Sequence, residues 1–158
     1  MSAGGAPANV AAGLAKLGVS SGFMGWQFAH VIKVSEEELV FLSGLEDLEQ
    51  AARSLMHPGL RLLVVTHGKE GCTFFTPHSS RHVPGFNVQP VDTTGAGDAF
   101  MAGLLKGLFE YPDAYQDEDL LVEICRYANA VGALTTFERE AIPALPSTEN
   151  VSLFLERK

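Results

Sequence analysis

The sequence is poor in cysteine and in basic residues, and it has no long apolar run. Eleven lysines and arginines stand against nineteen acids in 158 residues, a formal charge of −8. No basic block is present that could contact successive phosphates, which argues against nucleic acid or an anionic membrane as a partner. Cys72 and Cys125 lack metal-like spacing and lie among apolar residues, so buried thiols are expected rather than a disulfide. No apolar stretch approaches the ~18 residues that a membrane span needs.

The start of the sequence is also without a targeting signal. Met1–Gly5 has neither the basic nor the apolar region of a signal peptide, which makes the cytoplasm the expected location.

The composition contains 46% apolar and 19% charged residues, a balance typical of one globular domain and not of a disordered chain. No internal repeat and no low-complexity segment is present.

Hydrophobic periodicity predicts helices that alternate with strands. Helical spacing occurs over 7–17, 48–56, 96–110, 120–135 and 147–155, and short β-rich runs occur over 20–24, 30–34, 61–66, 72–76 and 86–91. Ser35 and Glu38 form a capping box before an apolar helix that ends at Gly44. Arg61–Thr66 is typical of a buried parallel strand, and His67–Gly71 is a turn into a hairpin partner. The alternation indicates an α/β layer fold.

One connection does not fit that fold. Gly25–Ala29 leaves five residues between the first two strand candidates. A crossover between parallel strands needs about a dozen residues, usually including a helix. The sequence therefore predicts that a segment of the expected fold is missing at this point.

The segment Asp92–Phe100 carries the clearest chemistry. Gly95, Ala96 and Gly97 precede Asp98 at the start of a long apolar helix. A helix N-terminus after glycines presents backbone N–H groups and the positive end of the helix dipole, which suit a phosphate or a developing anion. An acid in the first turn can take a proton from an attacking hydroxyl, so the pattern indicates phosphoryl transfer, although an acid that only begins a helix explains the spacing equally well. The segment is neither a Walker loop nor a dinucleotide fingerprint.

Several motifs together resemble those of the ribokinase-like (PfkB) carbohydrate kinases, and the residues in these motifs are most similar to those of fructokinases. Gly4–Asn9 is similar to the family's N-terminal Gly-Gly signature, and Asp92–Phe100 is similar to its C-terminal signature. Lys33–Leu39 and the Thr-x-Gly-x-x-Gly pattern of Thr66–Gly71 lie between them in the family's order. The resemblance implies an α/β, three-layer ribokinase-like fold with a mostly parallel sheet.

The resemblance also implies that this chain is a truncated version of the fold. Family members are much longer, and the parts without a counterpart are the first strand and a large middle segment that includes the lid. A single partial domain is expected, with an N-terminal sugar-motif piece at 1–27 and a nucleotide-binding part at 28–158. The second gap coincides with the short connection at Gly25–Ala29.

Three sets of residues would form the site in such a kinase. The catalytic set is the general base Asp98 with the anion-binding turn Gly95, Ala96 and Gly97. The nucleotide-binding set is Thr66, Gly68, Gly71 and Asn129. The sugar-binding set is Gly4, Gly5 and Asn9. Without the resemblance, the second set is equally consistent with a hairpin turn and a polar helix surface, and the third with glycines before a helix.

Two cation sites follow from the same comparison. Glu38 would act on Mg²⁺ through water, although helix capping explains that residue equally well. Asp92 and Thr94 match positions that bind a monovalent cation, K⁺, in this family. The family commonly has glycines near Glu140 and a serine at Ala144, and the departures here argue against a complete potassium site.

The expected function is ATP-dependent phosphorylation of a sugar hydroxyl, with fructose as the acceptor and a small-molecule sugar and ATP as the partners. The alternative is a catalytically inactive truncated product or a nucleotide-binding module of the same family. A further alternative keeps catalysis but takes a nucleoside or a keto-sugar acid. Sheet edges exposed by the missing segments would invite self-association into a homo-oligomer.

Overall fold

The computed structural model describes residues 30–137 and 146–158. The elements in these ranges are β1 Val31–Ser35, α1 Glu36–Ser43, α2 Leu48–Leu55, β2 Leu62–Thr66, β3 Gly71–Phe75, β4 Ser80–Pro84, α3 Ala96–Glu110, α4 Glu118–Thr135 and α5 Thr148–Glu156. Short 3-10 turns at Gly68–Glu70 and Ala114–Gln116 complete the order. The helix expected at 7–17, the strand expected at 20–24 and the short connection after it lie outside the described residues.

The four strands form one sheet in the order β1-β2-β3-β4. β1 runs parallel to β2, with Val34 opposite Val65. β2 and β3 are antiparallel, with Val65 opposite Thr73, and β3 and β4 are antiparallel, with Cys72 opposite Val83. The parallel pair is joined through α1 and α2, whereas short hairpins join the antiparallel pairs. The expected sheet was mostly parallel, and the described part of it is mixed.

Helices cover both faces of the sheet, which gives three layers. Leu63 and Phe75 pack with Leu39 on the face covered by α1 and α2. Val64 and Phe74, the next residues along these strands, pack with residues of α3 and α4 on the opposite face. This alternation is why β2 is apolar from Leu62 to Val65 and β3 is buried at every position, since both faces of these strands are covered. The predicted α/β layer architecture is confirmed.

The helix boundaries follow the capping residues. The Ser35 hydroxyl accepts from the Glu38 amide at 3.2 Å and the Glu38 carboxylate accepts from the Ser35 amide at 2.7 Å, so the predicted capping box is confirmed. The helix ends at Gly44 in the left-handed conformation, φ 69°. α3 has the predicted bounds, and α4 begins at Glu118, two residues earlier than expected, because Asp117 caps it.

The strand expected at 86–91 is wrong. The chain pairs with β3 earlier, through Ser80–Pro84, and 86–91 is irregular. β4 has little apolar signal because it lies at the sheet edge, where only Val83 of its residues is buried. The alternation at 86–91 has another cause, since Phe86 packs edge-on against Phe154 with ring centroids 5.0 Å apart. Pro90 in this stretch lacks the amide that a strand ladder uses.

Glycines on α3 and α4 allow these two helices to approach closely. An ideal Cβ on Gly107 would lie 2.7 Å from Cγ2 of Ile124, and one on Gly132 would lie 3.2 Å from the Ala96 carbonyl oxygen. Real Cβ contacts are longer than the first distance. α4 is therefore pressed against the start of α3, which is the element that carries the predicted catalytic turn.

Both cysteines are free and fully buried, as expected. A hydrogen bond with Cys72, together with burial, raises the pKa of the Cys125 thiol well above its usual value. The Cys125 thiol therefore stays protonated in the core between β3 and α4. Among residues 30–137 and 146–158, no helix has the length and apolar character to cross a bilayer.

Candidate active site

A groove of about 650 Å³ opens between the β2–β3 turn and the start of α3. One wall is the turn that contains Thr66, Gly68 and Gly71, and the other includes Ala96 and Gly97. Further lining comes from the start of α1, the irregular segment after β4 and α4, namely Ser35, Glu36, Glu37, Phe86, Val88, Asn129, Gly132 and Thr136. The groove lies beyond the carboxyl ends of the parallel strands β1 and β2, where open α/β sheets bind ligands.

The turn before α3 is held by backbone contacts. The amides of Val91 and Asp92 both donate to the Thr136 carbonyl, at 2.7 and 3.2 Å, which ties the turn to the end of α4. The Asp92 carboxylate accepts from the Thr94 amide at 2.8 Å. Gly95 is the N-cap with φ 79°, a left-handed conformation that favours glycine. These contacts fix the position of the N-terminus of α3 at the edge of the groove.

The predicted catalytic residues lie on this N-terminus. Ala96 and Gly97 begin the helix and line the groove, so their position suits an anion bound by first-turn amides. Asp98 follows in the first turn and is half-buried, but it is not part of the groove lining in the described residues. Its role as general base stays a prediction.

The predicted nucleotide loop has a conformation that only glycine accepts easily. Gly68 has φ 57° and Gly71 has φ 103°. An ideal Cβ on Gly71 would lie 2.1 Å from the Val83 carbonyl oxygen, so β3 and the end of β4 could not pack with any side chain there. The Thr66 hydroxyl donates to the Val34 carbonyl at 3.3 Å, which joins the end of β2 to β1.

Asn129 lies on α4 and reaches the same groove. Its side-chain nitrogen donates to the carbonyls of Val83 and Pro84, both at 3.2 Å, and the residue is almost fully buried. The amide thus anchors the end of β4 to α4. The structure brings the nucleotide set and the turn before α3 into one groove, while direct contact of Asn129 with a nucleotide stays a prediction.

The predicted metal residues do not form a cluster. Glu38 is exposed and caps α1, whereas its neighbours Glu36 and Glu37 line the groove. Asp92 and Thr94 hold the turn through their mutual hydrogen bond. In the part of the chain that the structure describes, no group of three or more histidines, cysteines or acids is placed to hold a metal ion. Their cation roles stay predictions.

The predicted sugar residues Gly4, Gly5 and Asn9 lie outside the described residues. So do Glu140 and Ala144, whose departures from the family pattern bear on the potassium site. The structure therefore describes the nucleotide side of the predicted site and the turn before α3.

The sequence interpretation missed a polar network beside the nucleotide loop. Nδ1 of His67 lies 2.7 Å from the Glu36 carboxylate, and Nε2 lies 2.8 Å from the Thr73 hydroxyl. Nδ1 of His82 is 3.2 Å from the same hydroxyl. This network joins the start of α1 to the β2–β3 turn and thereby stabilises the position of the loop. The sequence placed Thr73 in the predicted hairpin strand at 72–76, but it had no signal for the two histidine partners of this residue.

A second missed residue is Lys33. An ideal Cβ on Gly97 would lie 3.2 Å from its Nζ atom, so the lysine reaches the first turn of α3. A signal was available, because Lys33 occupies an inward position in the alternation of β1, where an apolar residue is expected.

Solved structures share this fold and this sequence pattern. A fructokinase from Vibrio cholerae, crystallised with fructose, ADP and calcium ion, superposes with a TM-score of 0.74 at 40% identity, over 80% of this chain and 41% of that chain. An aminoimidazole riboside kinase from Salmonella enterica, complexed with aminoimidazole riboside and an ATP analogue, gives 0.70 at 37% identity, over 79% and 41%. The fold is that of the ribokinase-like kinases.

Sequence comparison identifies the family. Residues 26–148 match the pfkB family of carbohydrate kinases, and the chain belongs to that family. The probable chloroplastic fructokinase-6 of Arabidopsis thaliana is 52% identical over 128 residues, which is 80% of this chain and 33% of the relative. Fructokinase-1 of Zea mays is 44% identical over 133 residues, 84% and 41%. The chain thus spans well under half the length of these relatives.

Proposed function

We propose that this chain carries the ATP-binding and phosphoryl-transfer part of a sugar kinase, with fructose as the acceptor. The observation that supports this most is the single groove that joins the Thr66–Gly71 loop to Ala96 and Gly97. Its volume of about 650 Å³ lies within the range of small-molecule sites. Relatives and solved structures named fructokinase, one of them with fructose and ADP, support the choice of substrates.

In the proposed complex, ATP lies along the groove. Its nucleoside end contacts the loop of Thr66, Gly68 and Gly71 and the nearby Asn129, and its phosphates extend to the turn before α3. The first-turn amides and the helix dipole then stabilise charge on the terminal phosphoryl group. In such transfers, positioning and electrostatic stabilisation supply most of the rate enhancement.

The transfer itself needs one proton acceptor. The sugar hydroxyl oxygen forms a bond to the γ-phosphorus while the bond to the β–γ bridging oxygen breaks and ADP leaves. Asp98 takes the hydroxyl proton, and Gly4, Gly5 and Asn9 hold the sugar. A base in this position contributes about 10²–10⁴-fold to rate.

Two cations complete the proposal. Glu36 and Glu37 provide carboxylate oxygens at the groove, which are the ligands that Mg²⁺ prefers, and Glu38 acts on the ion through water. Mg²⁺ would neutralise charge on the β- and γ-phosphates. A monovalent cation, K⁺, would lie near Asp92 and Thr94, and a potassium-bound Vibrio cholerae fructokinase variant supports that part of the proposal. A cytoplasmic location and a homo-oligomer are further parts of it.

A fructose-dependent ADP-release assay tests the proposed function. Wild-type chain should release ADP when fructose, ATP and Mg²⁺ are present, and Asp98→Asn should lower kcat by about 10²–10⁴-fold with ATP affinity and urea midpoint unchanged. Asp113→Asn, an exposed site with the same charge change, is the matched control and should keep wild-type activity.

The outcomes separate the alternatives. ATP binding without turnover on any acceptor would identify a nucleotide-binding module. Turnover with a nucleoside or a keto-sugar acid in place of fructose would keep the kinase and change its substrate. Absence of both binding and turnover in a folded chain contradicts the proposal.

A further inference from the structure

Lys33 occupies a position on β1 where a strand normally places a core side chain. Val31 packs into the cluster beneath α3 and α4, whereas Ile32 and Val34 pack on the opposite face against α1 and α2. Because side chains alternate along a strand, Lys33 shares the face of Val31 and extends beneath α3. It is half-buried there.

The lysine ends beside the glycine turn. Its Nζ atom lies 3.2 Å from the position that a Cβ on Gly97 would occupy. Gly97 lines the groove, so the ammonium adjoins the place proposed for the terminal phosphoryl group. In the described parts of the chain, Lys33 forms no salt bridge with any carboxylate.

The Lys33 ammonium lies beside the N-terminus of α3. The N-terminus of a helix carries a partial positive charge, and cations are stabilised at the opposite end. The half-buried ammonium beside the first turn of α3 therefore adds its positive charge to that of the helix dipole, and Asp98 in the same turn offsets part of it. An anion bound at the turn would be attracted by both, because the ammonium and the helix amides would act on the same group.

We propose that Lys33 binds the transferred phosphoryl group at the glycine turn and stabilises the charge that develops on its oxygens. The proposal rests on the proposed kinase function and adds to it a residue from β1, far in sequence from the signature around Asp98. Lysine suits this role because its ammonium is a compact point charge with three donors. Charge in the transition state spreads over three equatorial oxygens, which one mobile cation can follow.

Two alternatives, an edge-strand role for Lys33 and a phosphate-binding role for Lys69 in its place, explain less of the geometry. Lysines on edge strands often discourage aggregation, but those side chains extend to solvent rather than to a helix N-terminus. Lys69 lines the groove, whereas Lys33 does not, yet the Lys69 side chain is 76% exposed and its ammonium lies 3.9 Å from the Glu70 carboxylate. Of these two lysines, Lys33 is the one whose ammonium adjoins the glycine turn.

Replacement of Lys33 by neutral residues tests the proposal. Lys33→Met keeps the length of the stem, Lys33→Gln keeps polarity, and Lys158→Met at the far end of α5 makes the same charge change as a control. Binding of ATP, adenosine and inorganic triphosphate is measured by calorimetry in folded protein, together with kcat and KM for ATP.

We expect both neutral variants to lower triphosphate affinity at least tenfold, to leave adenosine affinity unchanged, and to lower kcat about a hundredfold, as loss of one charge-stabilising donor does. Lys33→Arg should restore part of the binding, and Lys158→Met should match wild type. Wild-type affinity for triphosphate in Lys33→Met or Lys33→Gln overturns the proposal.

The design separates this proposal from the proposed function. A wild-type chain that binds triphosphate through Lys33 but transfers nothing to fructose supports the phosphate role and contradicts only the kinase reaction. A chain that transfers phosphate to fructose at wild-type rate without Lys33 contradicts only the lysine role. A folded wild-type chain that binds neither ATP nor triphosphate overturns both.

Discussion

Replacement of Gly71 by alanine should damage the fold far more than the same change at Gly68. Both glycines have positive φ, 103° and 57°, so alanine is strained at each. Space around them differs. A Cβ on Gly68 would meet nothing within 4 Å, whereas one on Gly71 would lie 2.1 Å from the Val83 carbonyl oxygen and 2.4 Å from the Gly85 amide nitrogen. Those are backbone atoms of β4 and the residue just after it, and they cannot move aside without separating β3 from β4.

The expected loss in free energy of unfolding follows from backbone strain and from steric overlap. Strained backbone at Gly71 costs about 1–3 kcal/mol and overpacking costs about 1–3 kcal/mol more, so about 4 kcal/mol is expected. Left-handed strain at Gly68 costs about 1–2 kcal/mol with no steric term. Urea unfolding has an m-value of about 2 kcal/mol/M, so the midpoint should fall by about 2 M for Gly71→Ala and by less than about 1 M for Gly68→Ala.

Urea denaturation followed by far-UV circular dichroism measures this difference, with binding of ATP as a second readout. Equal midpoints for the two variants would refute the reasoning, because they would mean that the end of β4 does not press against Gly71. A folded Gly68→Ala that has lost ATP affinity would assign the loop to the nucleotide, independently of stability.

Two further predictions concern α1 and the core thiols. Ser35→Ala should lower the free energy of unfolding by about 1 kcal/mol, because the helix cap is lost. Glu38→Gln keeps much of the cap, but it should lower kinase activity and raise the Mg²⁺ concentration needed for half-maximal activity. Activity and Mg²⁺ requirement equal to those of the unmodified chain would exclude the metal role of Glu38. Cys72 and Cys125 should resist a thiol reagent until the protein unfolds. Because the raised pKa of Cys125 keeps a proton that the unfolded chain releases above about pH 8.5, the free energy of unfolding should fall as pH rises past that value. Cys72→Ala removes the hydrogen bond and should make this fall smaller, whereas a flat or rising profile in the unmodified chain would contradict the prediction.

Local signals in the sequence predicted the elements that depend on local chemistry. The capping box at Ser35 and the glycine stop at Gly44 mark both ends of α1, and the glycine turn marks the start of α3. The sequence did not predict β4, because a strand at the sheet edge needs no apolar alternation. β4 is a strand because its backbone is hydrogen-bonded to β3. The strand predicted at 86–91 is the opposite case, since Phe86 is apolar because its ring packs against Phe154 of α5 and not because it belongs to a strand.

The sequence likewise predicted the parts of the site that lie within local motifs, but not the contacts between distant residues. Motif residues such as Gly71 and Gly97 were found from the sequence, and the structure places both on one groove. The role proposed for Lys33 was not assigned from the motif Lys33–Leu39, because it depends on the distance between β1 and the start of α3. The support of the loop by His67 depends in the same way on residues that are distant in sequence.

One titration tests most directly that the nucleotide loop and the glycine turn form a single ATP site. In amide ¹H–¹⁵N spectra of the labelled chain titrated with ATP and Mg²⁺, the resonances of Gly68, Gly71 and Gly97 should shift together with one Kd, while that of Gly44, at the far end of α1, stays unchanged. Shifts of the loop glycines without Gly97, or no saturable shift at any of the three, would contradict the account.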